Sequence, residues 1–200
     1  MSLGAIYNEL KGWQTGISSI FGFGALIVAA LWNFNLNRRR DTELRGEEAL
    51  SVATALYGEI LLLRKEVASI AKTVASMEMS HRRKVDKQFL EAHPLSDPLL
   101  YKALAPKIGL LNPDLIIGIT EFHQAFQEVK NSLPLLLDKP DRQYSYSSLT
   151  VLIPARNAVR NIQPTLSKIE GLALISKSAE NIDLGDVDDV IEIEQEAFGQ

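Results

Sequence analysis

Apolar and polar positions along this chain fall into three regimes. From Gly12 to Asn37, between Lys11 and Arg38, no residue is charged: GWQTGISSIFGFGALIVAALWNFNLN. A run of this length is enough to cross a bilayer core, which needs about 20 apolar residues. Trp13 and Trp32 stand near its ends, where amphipathic rings favour the headgroup region. A helix between them is roughly 28 Å long, close to one hydrocarbon core. The pattern predicts a transmembrane helix over 13–36.

The second regime is a heptad. Ala49, Ala53, Leu56, Ile60, Leu63, Val67, Ile70, Val74, Met77 and His81 are separated by alternating steps of four and three. No proline interrupts this stretch, so a long helix is predicted over 37–93. A seven-residue apolar repeat imposes a left-handed supercoil. Ala53, Ile60, Val67, Val74 and His81 take the a positions, and Leu56, Leu63, Ile70 and Met77 the d positions. β-Branched residues at a with leucine at d favour a parallel pair of helices. Glu59 at g and Arg64 at the next e are placed to pair across such a dimer. Leu61 and Leu62 lie off the seam and need other cover, which favours packing against the chain's own later helices instead. Both arrangements remain open from the sequence, because the seam and the back face can each hold a partner.

In the third regime, proline and glycine divide the chain. Asp97-Pro98 and Asn112-Pro113 are helix-start signals. The first helix is expected to end near 106–109. The second carries Leu115, Ile116, Ile119, Phe122, Phe126, Val129 and Leu133 at helical spacing. Lys139-Pro140-Asp141 marks a turn. The segment from about 145 to 174 is predicted helical, kinked or split by Pro154 and Pro164. The expected fold class is all-α: one N-terminal transmembrane helix, a long coiled-coil-like helix, a small bundle of two or three helices over 97–175, and an acidic tail over 176–200.

Charge adds orientation. Arg38, Arg39, Arg40 and Arg45 follow the uncharged run, whereas Lys11 alone precedes it and is offset by Glu9. Positive charge stays on the cytoplasmic side, so residues 1–12 are expected outside and the rest inside. The same charge order is inverted for a cleaved signal peptide, for which Val28-Ala29-Ala30 is the candidate site. The net charge of −4 hides an asymmetry: from Glu180 onward there are eight acidic residues and no lysine or arginine, leaving the first 179 residues at +4. Such a tail reads first as a solvated terminus. Its interleaved Val187, Val190, Ile191, Ile193 and Phe198 also allow a short element that docks on a basic partner surface.

Three segments, WNFNLNRRRD (Trp32–Asp41), EEALSVATALYGEILLLR (Glu47–Arg64) and YKALAPKIGLLNPDL (Tyr101–Leu115), resemble a loose set of bacterial single-pass membrane proteins of uncharacterised role, some prophage-like. The likeness covers most of residues 12–170 and leaves out the acidic tail. It implies the same layout and a bacterial inner membrane, with no activity, ligand or functional residue to carry over.

Chemistry is sparse. Cysteine is absent, which excludes disulfides and thiolate metal sites. His81, His93 and His123 have no ligand-like spacing, and His123 is read as a helix-surface residue. Ser69-Ile-Ala-Lys72 matches S-x-x-K without the companion motifs of that chemistry. Gly22-Phe-Gly24 lacks the third glycine of a phosphate loop. Asp183–Glu194 fails the calcium-loop pattern because Gly185 and Val187 fall where oxygen ligands are required. No catalytic residue, cofactor or metal is expected. The basic run His81-Arg82-Arg83-Lys84 lacks the interleaved aromatics of a nucleic-acid surface.

These readings combine into a non-enzymatic scaffold or assembly subunit held to membrane lipid, a homo-oligomer or part of a larger complex. Trp13, Trp32, Arg38, Arg39 and Arg40 anchor and orient it. Helix association is expected from Gly12, Gly16 and Gly22 in the span and from Leu56, Ile60, Leu63, Val67, Ile70, Val74 and Met77 in the seam. Val190, Ile191 and Phe198 are expected to bring the tail to a protein partner. A membrane-active phage or defence component, whose span itself oligomerises, and a stalk or tether of a larger membrane complex are the alternatives.

Overall fold

The computed structural model describes residues 3–80, 85–137, 146–175 and 179–198, without the side chains of 3–12, 14–22, 25 and 198. Every regular element among the described residues is helical. In chain order these are α1 (Leu3–Ser80), α2 (Lys87–Ala92), α3 (Leu99–Leu104), α4 (Pro113–Ser132), α5 (Leu149–Asn161), α6 (Gln163–Ala173) and α7 (Gly185–Phe198). Two short 3-10 segments, Ala105–Leu110 and Leu133–Leu136, extend α3 and α4. The all-α expectation holds.

The chain divides into two compact units, Met1–Glu47 and Glu48–Gln200, with α1 contributing to both. In the first unit the segment expected to span a membrane is helical throughout. Among the described residues, however, no helix is long and apolar enough to cross a membrane. Gly12, Gly16 and Gly22 lie outside the described side chains.

The second unit is built on the part of α1 from Glu48 onward. Val52, Leu56, Ile60, Leu63, Val67, Ile70 and Val74 are buried in one apolar core with residues of α4, α5, α6 and α7. The occupant of the heptad seam is therefore the chain's own C-terminal half. Met77 is partly buried against the same core, and the tenth heptad position, His81, lies outside the described residues. The buried face is wider than an a/d seam. Ala68, Ala71 and Ala75 flank the seam and are 0–3 % exposed. These small side chains let neighbouring helices approach on a broad stripe, as in a globular bundle. Of the two off-seam leucines, Leu61 is partly covered by the core and Leu62 stays 66 % exposed.

The long helix is shorter than expected at its far end. It runs to Ser80, and Asp86 starts α2 by accepting a hydrogen bond from the Phe89 N–H at 2.7 Å. The basic run from His81 to Lys84 and the turn at Lys139-Pro140-Asp141 lie outside the described residues. Asn112 and Pro113 start α4 as predicted. Pro164 begins α6 in its first turn, whereas Pro154 sits inside α5; the split falls between Asn161 and Gln163. A proline is tolerated in a first turn because its missing N–H has no helical acceptor there.

α4 packs chiefly on α5 and also meets α6. At the latter crossing a Cβ on Gly118 would lie 2.0 Å from Thr165 Oγ1, so the close approach admits only glycine without rearrangement. The described part of the tail folds onto the bundle: α7 packs on α5 and buries Val187, Val190 and Ile191.

Candidate functional site

Buried polar side chains in a helical core mark positions where the fold holds something specific, since an unpaired polar group is costly there. Two of them, Arg64 and Glu170, converge with the half-buried Gln163 on one short piece of main chain before α7. Arg64 is 2 % exposed and lies one position beyond the seam residue Leu63. Its Nε donates to the Val159 carbonyl at 2.9 Å and its Nη1 to the Glu180 carbonyl at 2.8 Å. Burial lowers its pKa, yet a guanidinium stays charged in proteins. Glu170, 8 % exposed on α6, accepts from the Tyr57 hydroxyl at 2.8 Å and from the Ala179 N–H. Gln163 Nε2 donates to the Ala179 carbonyl at 3.5 Å. The Tyr57 phenol is pushed up to about 12 by burial and, secondarily, by the carboxylate it bonds, so it remains a donor throughout the neutral range.

The dipeptide Ala179-Glu180 is thus held by its backbone, between a buried cation and a buried carboxylate. Beyond it α7 continues the same charge logic. Asp188 pairs with Arg160 and, at 3.8 Å, with Arg156, both on α5. Ser147, next to the start of α5, donates to Glu194 at 2.5 Å. Asp188 beside Arg156 and Arg160, with Glu194 beside Ser147, sets α7 antiparallel to α5. The basic surface predicted for a partner is supplied by the chain itself. Of the three predicted tail contacts, Val190 and Ile191 dock on it, while the side chain of Phe198 lies outside the described residues.

The pairing expected between Glu59 and Arg64 of two chains is replaced by contacts within one. Glu59 Oε1 accepts from the Leu100 N–H at 2.6 Å and Oε2 from the Tyr101 N–H at 2.9 Å. A carboxylate there satisfies donors that the first turn of α3 leaves open. Seven residues on, Glu66 accepts from the N–H and hydroxyl of Ser96 at 2.9 and 2.7 Å. The acidic edge of α1 fixes the entry into α3.

His123 is a second correction. It is 6 % exposed, not on the surface, and lies against Tyr101, with ring centroids 3.7 Å apart. Neither ring nitrogen has a hydrogen-bond partner, and desolvation lowers its pKa to about 4. The unfolded chain therefore takes up this proton near pH 6.5 and the folded chain only near pH 4. Stability is full above pH 6.5 and falls as pH drops from 6.5 to 4, by about 3 kcal/mol for this group. Chemical denaturation at pH 7 and pH 4.5 is expected to show a smaller loss in His123→Leu than in the parent chain.

Two further concavities lie among the described residues. A cavity of about 260 Å³ between α4 and α5 is lined by Glu121, Gln124, Glu128, Asn157 and Asn161 among others. A groove of about 510 Å³ runs between Lys65, Ser69 and Lys72 of α1 and Glu180, Asn181 and Asp183. Among the described residues no group of three or more histidines, aspartates or glutamates is placed to hold a metal ion.

In the first unit the residues predicted to anchor the chain are exposed: Trp13 by 74 %, Trp32 by 70 %, and Arg38, Arg39 and Arg40 likewise. Phe23, Leu26, Ile27, Val28, Leu31 and Phe34 are exposed with them. Successive residues point around the whole helix at 100° steps, so this apolar surface is not one stripe. Arg38 sits over the Phe34 ring at 5.8 Å. Comparison with family models, with curated proteins and with solved structures returns no match for this chain.

Proposed function

We propose that this chain is a membrane-anchored helical scaffold: a non-enzymatic assembly subunit of the bacterial inner membrane that presents a folded cytoplasmic unit to other proteins. One observation carries the reading. The helix segment from Gly12 to Asn37 has no charge, exposes apolar side chains on several sides where they are described, from Phe23 to Leu36, bears a tryptophan toward each end and runs directly into three arginines. A helix apolar on all sides needs an apolar surround, and lipid supplies it. The arginines place the folded unit in the cytoplasm. With the seam filled by the chain's own helices, close contact between anchors falls to Gly12, Gly16 and Gly22, whose spacing suits helix pairing in lipid.

Leu26→Arg with Val28→Arg tests the anchor. Each arginine near the centre of a span costs about 3 kcal/mol of insertion. The full-length parent is expected to stay in the membrane pellet after alkaline carbonate extraction, and the double variant in the supernatant. A parent protein recovered wholly in the carbonate supernatant contradicts the anchor.

A further inference from the structure

Three contacts define one end of the second unit. Lys107 Nζ lies 2.7 Å from Glu48 Oε1, where the unit begins. Lys168 of α6 lies 2.7 Å from Asp114 in the first turn of α4. Tyr57 of α1 bonds Glu170 near the close of α6, whereas Arg64, seven residues further along α1, bonds Val159 of α5. Passing from Val159 to Glu170 thus follows α1 backward, toward Glu48. α6 finishes at that end, beside the segment that leads into α4.

Leucines dominate what this end exposes. Leu110, Leu172 and Leu174 are 39, 58 and 90 % exposed, and Leu50 of α1 is exposed beside Glu48. Leu174 closes α6 at φ 51°, a left-handed conformation that costs a non-glycine residue, and its side chain stands outside the core. Single exposed leucines are ordinary, but several gathered at one end mark a contact surface. The lysines among them are each paired with a carboxylate, Lys107 with Glu48 and Lys168 with Asp114. Apolar area, rather than net charge, is what this end offers.

We propose that this end seats on the bilayer surface, with Leu110, Leu172 and Leu174 entering the boundary between headgroups and acyl chains. The inference rests on the anchor proposed above, and chain connectivity selects lipid as the occupant. Glu48 is the tenth residue after Arg38, at which the uncharged run stops. Ten residues reach at most about 35 Å in any conformation. The leucines therefore lie at the end of the unit that the anchor holds within reach of lipid. A tether of this length raises the effective concentration of the surface it faces. Apolar side chains on an interfacial element settle about 5–10 Å into that boundary.

The absence of native cysteine makes a direct test available. Full-length Leu174→Cys, Leu62→Cys and Val28→Cys proteins each carry one environment-sensitive fluorophore and are reconstituted into phosphatidylcholine vesicles. Quenching by acyl-chain spin-labelled phosphatidylcholine reports lipid contact, and quenching by iodide reports water. The label at 174 is expected to lose most of its emission to the spin-labelled lipid and little to iodide. The label at 62, on an exposed residue of α1 fourteen positions past Glu48, is expected to do the reverse. Adding Leu110→Asp and Leu172→Asp is expected to return the label at 174 to iodide. Lipid quenching at 28 with iodide quenching at 174 equal to that at 62 overturns the inference and leaves the anchor standing. A label at 174 shielded from both quenchers is covered by protein, and this also overturns it, as does lipid quenching undiminished by the two aspartates. Lipid quenching absent at 28 overturns the anchor, whatever position 174 reports.

Discussion

Ile60→Lys is expected to unfold the unit from Glu48 onward rather than to separate folded chains. Ile60 is fully buried on the wide face of α1, in one core with Phe126, Leu152 and Leu166. Lysine there removes a large apolar side chain and puts an ammonium into the apolar core. Removal of the isoleucine alone costs about 2–5 kcal/mol, and the buried charge adds several more. Natural stability is about 5–15 kcal/mol, so most or all of it is lost. The expected signature is loss of a cooperative thermal transition together with dye-accessible apolar surface. Leu62→Lys, two residues away and 66 % exposed in the parent, is expected to leave the transition within about 0.5 kcal/mol of its parent value. A folded, monomeric Ile60→Lys protein would return the seam to an interface between chains.

Arg64→Ala is the second large effect. It strips two charge-assisted hydrogen bonds, to Val159 and Glu180, and leaves both carbonyls facing the space of the lost side chain. Hydrogen bonds to charged groups contribute about 1.5–3 kcal/mol each, so about 3 kcal/mol or more is lost. The corresponding fall in melting temperature is about 10 °C for a chain of this size. Its location is diagnostic: backbone amides of α7 and of the segment before it should exchange hydrogen faster than those of α4, because Arg64 holds that segment. Uniform acceleration across α4 and α7 would make Arg64 a general core residue instead.

Periodicity made the longer helices legible, and prolines marked the starts of three of the seven, α3, α4 and α6. Pro113 and Pro164 each lie in a first turn, where the reason for their placement is local. What periodicity does not carry is ownership. The spacing from Ala53 to Val74 says that one face of α1 is covered, and the same spacing serves a second chain or the chain's own helices. The flanking residues held the missing information: Ala68, Ala71 and Ala75 widen the stripe beyond an a/d seam. The same applies to His123, four residues after Ile119 and three before Phe126, and so inside the apolar stripe of α4. Arg64 and Glu170 were readable as charges set within apolar stripes, beside Leu63 and Val67 and beside Leu166 and Ile169. Their partners were not, since Tyr57 and Glu170 are 113 positions apart, and a single sequence contains no signal for that contact. In the tail, acidic composition masked the helical spacing of Val187, Val190 and Ile191, whose counter-charges lie on α5.

The claim on which the account turns is that α1 is covered by its own chain. Lys107 Nζ and Glu48 Oε1 are 2.7 Å apart, and this ion pair joins α1 to the segment after α3. Isotopically light and heavy full-length chains, refolded together and treated with a zero-length carbodiimide, test it directly. The account predicts Lys107–Glu48 crosslinked peptides that are light–light or heavy–heavy only. Mixed light–heavy peptides at the statistical proportion would contradict it.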